Sequence, residues 1–186
     1  MNSFQVDYSK VADNYDKNPD RHRLSIDGDL LNTLLTEEHT PAKILDVGCR
    51  TGLYIQFQNE YLKNYQIEWV GIDPSPEMLS LARAKVQSAQ FFLSRAEDIP
   101  FDNNHFDYIY CSYAFHHFND KKKALGEMKR VLKPAGTIKI ITISPELLTN
   151  WYLYKFFPKC KEIDEQRCWS PEKIRSELES LGFEVV

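Results

Sequence analysis

The chain has 186 residues, 42% of them hydrophobic, which is enough for one hydrophobic core and makes one main domain the default. Its net charge of −4 leaves no basic excess for neutralising a phosphate backbone, so duplex nucleic acid is not an expected partner. Cys49, Cys111, Cys160 and Cys168 fit neither a paired CxxC pattern nor zinc spacing, so reduced thiols and no metal are expected. The opening MNSFQVDYSK lacks the apolar core of a signal peptide, and no stretch approaches the length of a bilayer span. The expectation is a soluble, cytoplasmic protein with no membrane contact.

In chain order, residues 44–47 (ILDV) form an apolar run that stops at Gly48, and Gly52 to about Tyr61 continues as a helix. Residues 67–73 (IEWVGID) read as a second strand. Ser75 then caps a helix with Pro76 at its first position and Glu77 near the positive end of its dipole. Residues 90–93 (QFFL) and 106–112 (FDYIYCS) read as strands three and four. A helix follows from about Lys121 to Leu132, with Lys121-Lys122-Lys123 as its solvated start and Lys133-Pro134-Ala135-Gly136 as its stop. Residues 137–143 (TIKIITI) read as the fifth strand. Strands alternating with helices imply βαβ units, hence an α/β, doubly wound, mostly parallel sheet whose ligands lie beyond the strands' carboxyl ends.

After Ser144 the aromatics Trp151, Tyr152, Tyr154, Phe156 and Phe157 crowd into a segment without strand period, a candidate lid over 146–170. Ser170 caps a last helix that Gly182 ends, and Phe183 to Val186 begin a sixth strand. The resulting division is an N-terminal helical cap (1–40), a core (41–145), the lid, and the closing helix with its strand start (171–186).

Two places carry chemistry. In ILDVGCRTG, residues 44–52, a strand, a carboxylate at its end and a glycine turn are the parts of a nucleotide-binding loop. Asp46 can equally cap its own turn, and Gly48 and Gly52 can simply permit the backbone path. Asp73, ending the second strand, stands where a carboxylate accepts both hydroxyls of a ribose; alternatively it opens an Asp-Pro turn with Pro74.

Together with VGIDPSPEML, SRAEDIPFDNNHFDYIYCSYAFHHF and ALGEMKRVLKPAGTIKIITI, this loop resembles consecutive motifs of the class I S-adenosylmethionine-dependent methyltransferases, in particular the small-molecule branch called methyltransferase type 11. The resemblance runs from about Lys43 to Ile143, with weaker echoes in YSKVADNYD and SPEKIRSELESLGFEVV. It implies a Rossmann-like sheet, S-adenosylmethionine as cofactor and a small-molecule acceptor. It further implies that Asp46, Gly48, Thr51 and Gly52 shape the methionine side, that Asp73 with Pro74 holds the ribose, that Ala96 and its neighbours Arg95 and Glu97 meet the adenine, and that Ser112 lies below the cofactor.

The sequence departs from the family pattern twice. Arg50 replaces the middle glycine of the usual Gly-x-Gly-x-Gly, with a penalty if its φ is positive, and Arg95 replaces an acid that commonly precedes the adenine-side alanine. Arg50 can turn outward or pair with the cofactor carboxylate, Arg95 can lie along the adenine while Glu97 or Asp98 accepts, or the domain can be a retuned or non-catalytic ligand binder. His116-His117 follow strand four, and His117 is the candidate catalytic group, as a base or by hydrogen bonding. Tyr8 and Tyr15 resemble residues that fold over the cofactor in relatives.

Overall fold

Strands β1 (Ala42–Val47), β2 (Ile67–Asp73), β3 (Gln90–Leu93), β4 (Phe106–Ser112) and β5 (Leu132–Ile141) form one parallel sheet in the order β3-β2-β1-β4-β5. The computed structural model describes residues 12–22, 24–36, 41–149 and 151–186; Tyr8 and the first residues of YSKVADNYD lie outside them. From β1 the chain winds outward through β2 to β3, then returns to β4 on the other side of β1. That reversal opens a crevice at the carboxyl ends of β1 and β4.

The central strands are apolar on both faces because helices cover both. Leu45, Val47, Val70, Ile72, Phe106, Ile109 and Cys111 pack on one side with Ala124, Leu125 and Met128 of helix α5 (Lys121–Val131). Ile44, Trp69, Tyr108 and Tyr110 turn the other way, toward Leu30 of α2 (Gly28–Thr36), Ile55 of α3 (Leu53–Tyr61) and Leu79 and Ala82 of α4 (Pro76–Lys85). The period-two split along β1, and along β4 from Tyr108 to Cys111, is the pleat itself. A short N-terminal helix, α1 (Ala12–Tyr15), packs Ala12 and Tyr15 against Met78 of α4.

Local chemistry sets the ends of α4: the Met78 amide donates to Ser75 Oγ at 3.3 Å, and Pro76 occupies the first turn. The start of α5 corrects one expectation. Lys122 is solvated, but Lys121 is 8% exposed and its ammonium donates to the Phe118 carbonyl at 2.9 Å, so its stem packs while its charge finds a carbonyl.

Strand β5 also starts earlier than expected. Leu132 pairs with Phe106 directly after α5, and the next partner pair is Thr137 with Tyr108, so Lys133-Pro134-Ala135-Gly136 bulges out of the ladder. Pro134 cannot donate to a ladder and Ala135 sits at φ 63, which the bulge accommodates. The strand ends at Ile141, two residues before the expected Ile143.

The candidate lid forms α6 (Pro145–Leu148), a 3-10 turn (Tyr152–Lys155) and α7 (Pro158–Arg167), and leaves Leu147, Tyr152, Phe156 and Phe157 exposed. Helix α8 (Pro171–Ser180) closes as expected: Gly182 at φ 82 donates to the Glu179 carbonyl and Phe183 to that of Leu178, a Schellman cap. Residues 183–186 do not begin a strand. Phe183 instead packs on the core, with Lys129 Nζ 4.4 Å from its ring centre. No helix among the described residues is long and apolar enough to cross a membrane.

Candidate active site

Three strand ends converge on the crevice. After β1, the amides of Gly48 and Cys49 both donate to the Ile72 carbonyl, at 2.8 and 3.0 Å, which pins the loop to β2. Gly48 has φ 74, and a Cβ there would stand 2.5 Å from the Ala114 side chain, so glycine lets the loops after β1 and β4 close on each other. Gly52, at φ 73, opens α3; a Cβ would meet Ala82 and Phe91 at 3.3 Å. Gly52 therefore serves loop packing, and alone among the expected site residues it lines neither cavity of the crevice.

The larger cavity, about 480 Å³, is lined by Asp46, Thr51, Tyr54, Tyr110, Ser112 and, from the N-terminal segment, Tyr15 and Arg21. The smaller is lined by Asp73, Pro74, Met78, Arg95, Ala96, Glu97 and His117. Gly48, Arg50 and Tyr113 border both. Expected residues from six separate stretches are thus assembled around one crevice.

Two backbone amides hold Asp73 in place. Its Oδ2 accepts the Arg50 amide at 3.0 Å and its Oδ1 the Ser75 amide at 2.9 Å, so the carboxylate is oriented at the end of β2. Burial raises its pKa, opposed by those two amides and the Arg50 charge. Asp46 is almost fully buried, and burial pushes it up to about 7, with Arg50 acting against the shift. Thr51 donates its hydroxyl to Asp16 Oδ1 at 2.6 Å; Asp16 also pairs with Lys85, whose ammonium reaches the Thr51 carbonyl at 2.9 Å. These bonds tie the N-terminal segment to the loop.

Arg50 does sit at positive φ, 53°. Its guanidinium donates to the Ser112 carbonyl at 2.6 Å and lies 5.9 Å from the centre of the Tyr15 ring, strapping the β1 loop to the end of β4 between the two cavities. Arg95 is exposed at the rim of the smaller cavity, and Glu97 Oε1 accepts the Asn119 and Asp120 amides at 2.7 and 3.1 Å, ahead of α5. The His116 and His117 rings lie 4.1 Å apart, His116 on the larger cavity and His117 on the smaller. Burial first, then neighbouring charges that include Arg167, Arg50 and Lys121, hold them down to about 3 and about 4, so both are neutral at pH 7.

Several lining residues had no local signal in the sequence. Tyr54 on α3 and Tyr110 on β4 stack at 3.6 Å and 7° to make a wall of the larger cavity. Arg21 lies 3.4 Å over the Tyr15 ring, and its buried Nε has no hydrogen-bond partner among the described residues. Only the position of Tyr113, next to Ser112, could have drawn attention.

A parallel sheet with its crevice at the β1–β4 switch, a glycine turn after β1 and a carboxylate ending β2 define a nucleotide-cofactor domain. The family described as a methyltransferase domain matches residues 45–140, more than half of the chain. A demethylmenaquinone methyltransferase of Thermus thermophilus is 32% identical over 178 residues, covering 81% of this chain and 78% of that protein. One from Thermotoga maritima is 32% identical over 124 residues, 66% of this chain and 53% of that protein. The solved plantazolicin methyltransferase BpumL, in complex with a pentazolic desmethylPZN analog and SAH, shares the fold at TM-score 0.74 and 21% identity, over 92% of this chain and 68% of that one. The chain belongs to the class I S-adenosylmethionine-dependent methyltransferase family. It spans about half the length of several curated relatives it matches, 53% of the Thermotoga protein among them.

Proposed function

We propose that the crevice holds S-adenosylmethionine and that the protein transfers its methyl group to a small-molecule acceptor. The observation that carries this reading is Asp73, a carboxylate fixed by two amides at the end of β2 and facing the smaller cavity. Two further features fit such a ligand. Arg21, which lines the larger cavity, offers guanidinium donors for its carboxylate, and the Gly48 turn brings backbone to the cavity wall.

In this reading Asp73, with Pro74 beside it, takes the ribose, and Ala96, flanked by Arg95 and Glu97, borders the adenine. Asp46, Gly48, Thr51 and Ser112 surround the methionine portion, and Gly52 contributes only through the loop's shape. Arg50 contributes its amide, by orienting Asp73. The bound cofactor supplies a methyl group on a sulfonium, whose displacement needs no protonation of the leaving group. The protein's part is alignment, which can account for about 7–11 kcal/mol of barrier. His117, held at about 4, is a poor general base at neutral pH and serves as a neutral hydrogen-bonding group. The tyrosine walls favour a planar acceptor.

Calorimetry with S-adenosylhomocysteine tests the site. One binding event is expected, weakened about tenfold or more in Asp73→Ala. Absence of heat with folded wild-type protein overturns the reading.

A further inference from the structure

We infer that the acceptor carries a carboxylate, which docks on the Arg50 guanidinium at the tyrosine-walled cavity. The inference rests on the cofactor reading above and adds the substrate class. It begins from a charge count. Two guanidiniums, Arg21 and Arg50, line the larger cavity, and Asp46 is the one carboxylate among the described residues that does so. Asp16 nearby is already taken by Lys85 and Thr51, and the Asp73 carboxylate lines the other cavity.

The cofactor does not balance this excess. It brings one carboxylate together with an ammonium and a sulfonium, so it adds net positive charge to a cavity already lined by two arginines. Asp46 and Asp73 already act on Arg50, and with the cofactor's ammonium and sulfonium added, the partly desolvated site still holds an excess of positive charge, which is costly there.

Geometry divides the two arginines. Arg21, stacked on Tyr15, lines only the larger cavity, from its N-terminal side, and suits the cofactor's carboxylate. Arg50 is anchored by the Ser112 carbonyl and borders both cavities, where donor and acceptor of the methyl group have to meet. A guanidinium has five N–H donors, and the bond to Ser112 leaves an edge for a carboxylate. The left-handed backbone of Arg50 is strained for a residue with a side chain, a conformation glycine adopts freely, so the arginine is kept against a local cost. Tyr15, Tyr54, Tyr110 and Tyr113 line the cavity beside it, which makes an aromatic acid the best-matched form.

The test uses the full chain saturated with S-adenosylhomocysteine, titrated with benzoate and salicylate and with their neutral amides, benzamide and salicylamide. The acids are expected to bind about tenfold more tightly than the amides. Arg50→Gly brings that ratio to about one and changes it far more than it changes the affinity for S-adenosylhomocysteine; Arg50→Lys keeps part of the preference, as a point charge in place of a fork. The inference is overturned if acid and amide bind alike, if neither binds, if Arg50→Gly retains the preference, or if that variant loses S-adenosylhomocysteine instead. Failure of wild-type protein to bind S-adenosylhomocysteine is read separately: it removes the cofactor reading, and the acceptor class with it.

Discussion

Asp46 is the residue through which pH acts on the crevice. Its folded pKa of about 7 lies above the ordinary carboxylate value, so between about pH 4 and pH 7 the folded state keeps a proton the unfolded chain releases. Stability is therefore lost as pH rises through that window, and Asp46→Asn is expected to melt higher than wild type at pH 8, the gap narrowing toward pH 4. Binding of the cationic cofactor runs the other way. Calorimetry should show S-adenosylmethionine affinity increasing more steeply from pH 6 to pH 8 in wild type than in Asp46→Asn. The histidine pair, neutral across this range, adds nothing to the slope. At the neighbouring turn, Gly48→Ala meets both positive φ and the 2.5 Å approach to Ala114, and a loss of about 2 kcal/mol in urea unfolding is expected. Asp46, Gly48 and Asp73 were legible in the sequence because each lies at a strand end inside a contiguous motif. Arg21, Tyr54 and Tyr110 were not, since three separate elements bring them together. The sequence also raised the cost of a positive φ at Arg50 without showing where its guanidinium goes.

The elements around the crevice are joined by Asp27, just ahead of α2. Its buried carboxylate accepts the hydroxyls of Tyr54 on α3 and Tyr108 on β4 at 2.8 and 3.0 Å, and the ammonium of Lys139 on β5 at 2.8 Å. It also caps α2 through the amides of Asp29 and Leu30. Burial raises its pKa, but these bonds outweigh it and leave the value lowered, so the ionised form stabilises the fold above the ordinary carboxylate range and that contribution fades as pH falls. Asp27→Ala strips several donors of one acceptor and is expected to cost about 3 kcal/mol in urea unfolding at pH 7, and less at pH 4. A cost under about 0.5 kcal/mol would show the network to be incidental. At the far end of the chain, Gly182→Ala, at φ 82, is expected to cost about 1 kcal/mol. Helix caps at Ser75, Ser170 and Gly182 could be read directly, being local. The bulge in β5 and the non-strand fate of Phe183 to Val186 could not. An apolar run after a glycine has the composition of a strand, but pairing depends on a neighbour distant in sequence, and Phe183 finds the core instead.

At the scale of the molecule, the sheet order brings the ends of β1, β2 and β4 to one edge, and this is what turns scattered motifs into a crevice. The alternation of strands and helices was sufficient to foresee that edge, and four motifs in order were sufficient to foresee the family. The partition of the crevice by Arg50 and Tyr113, and the cationic cast of its larger cavity, emerge only when side chains from distant segments are placed together. The most direct measurement is a crystal structure of the protein grown with S-adenosylhomocysteine. Adenosine density is expected in the smaller cavity with the ribose hydroxyls on Asp73, and the amino-acid portion passing Arg50 toward Arg21. Folded protein with a saturating ligand in the drop and no density in either cavity would contradict it.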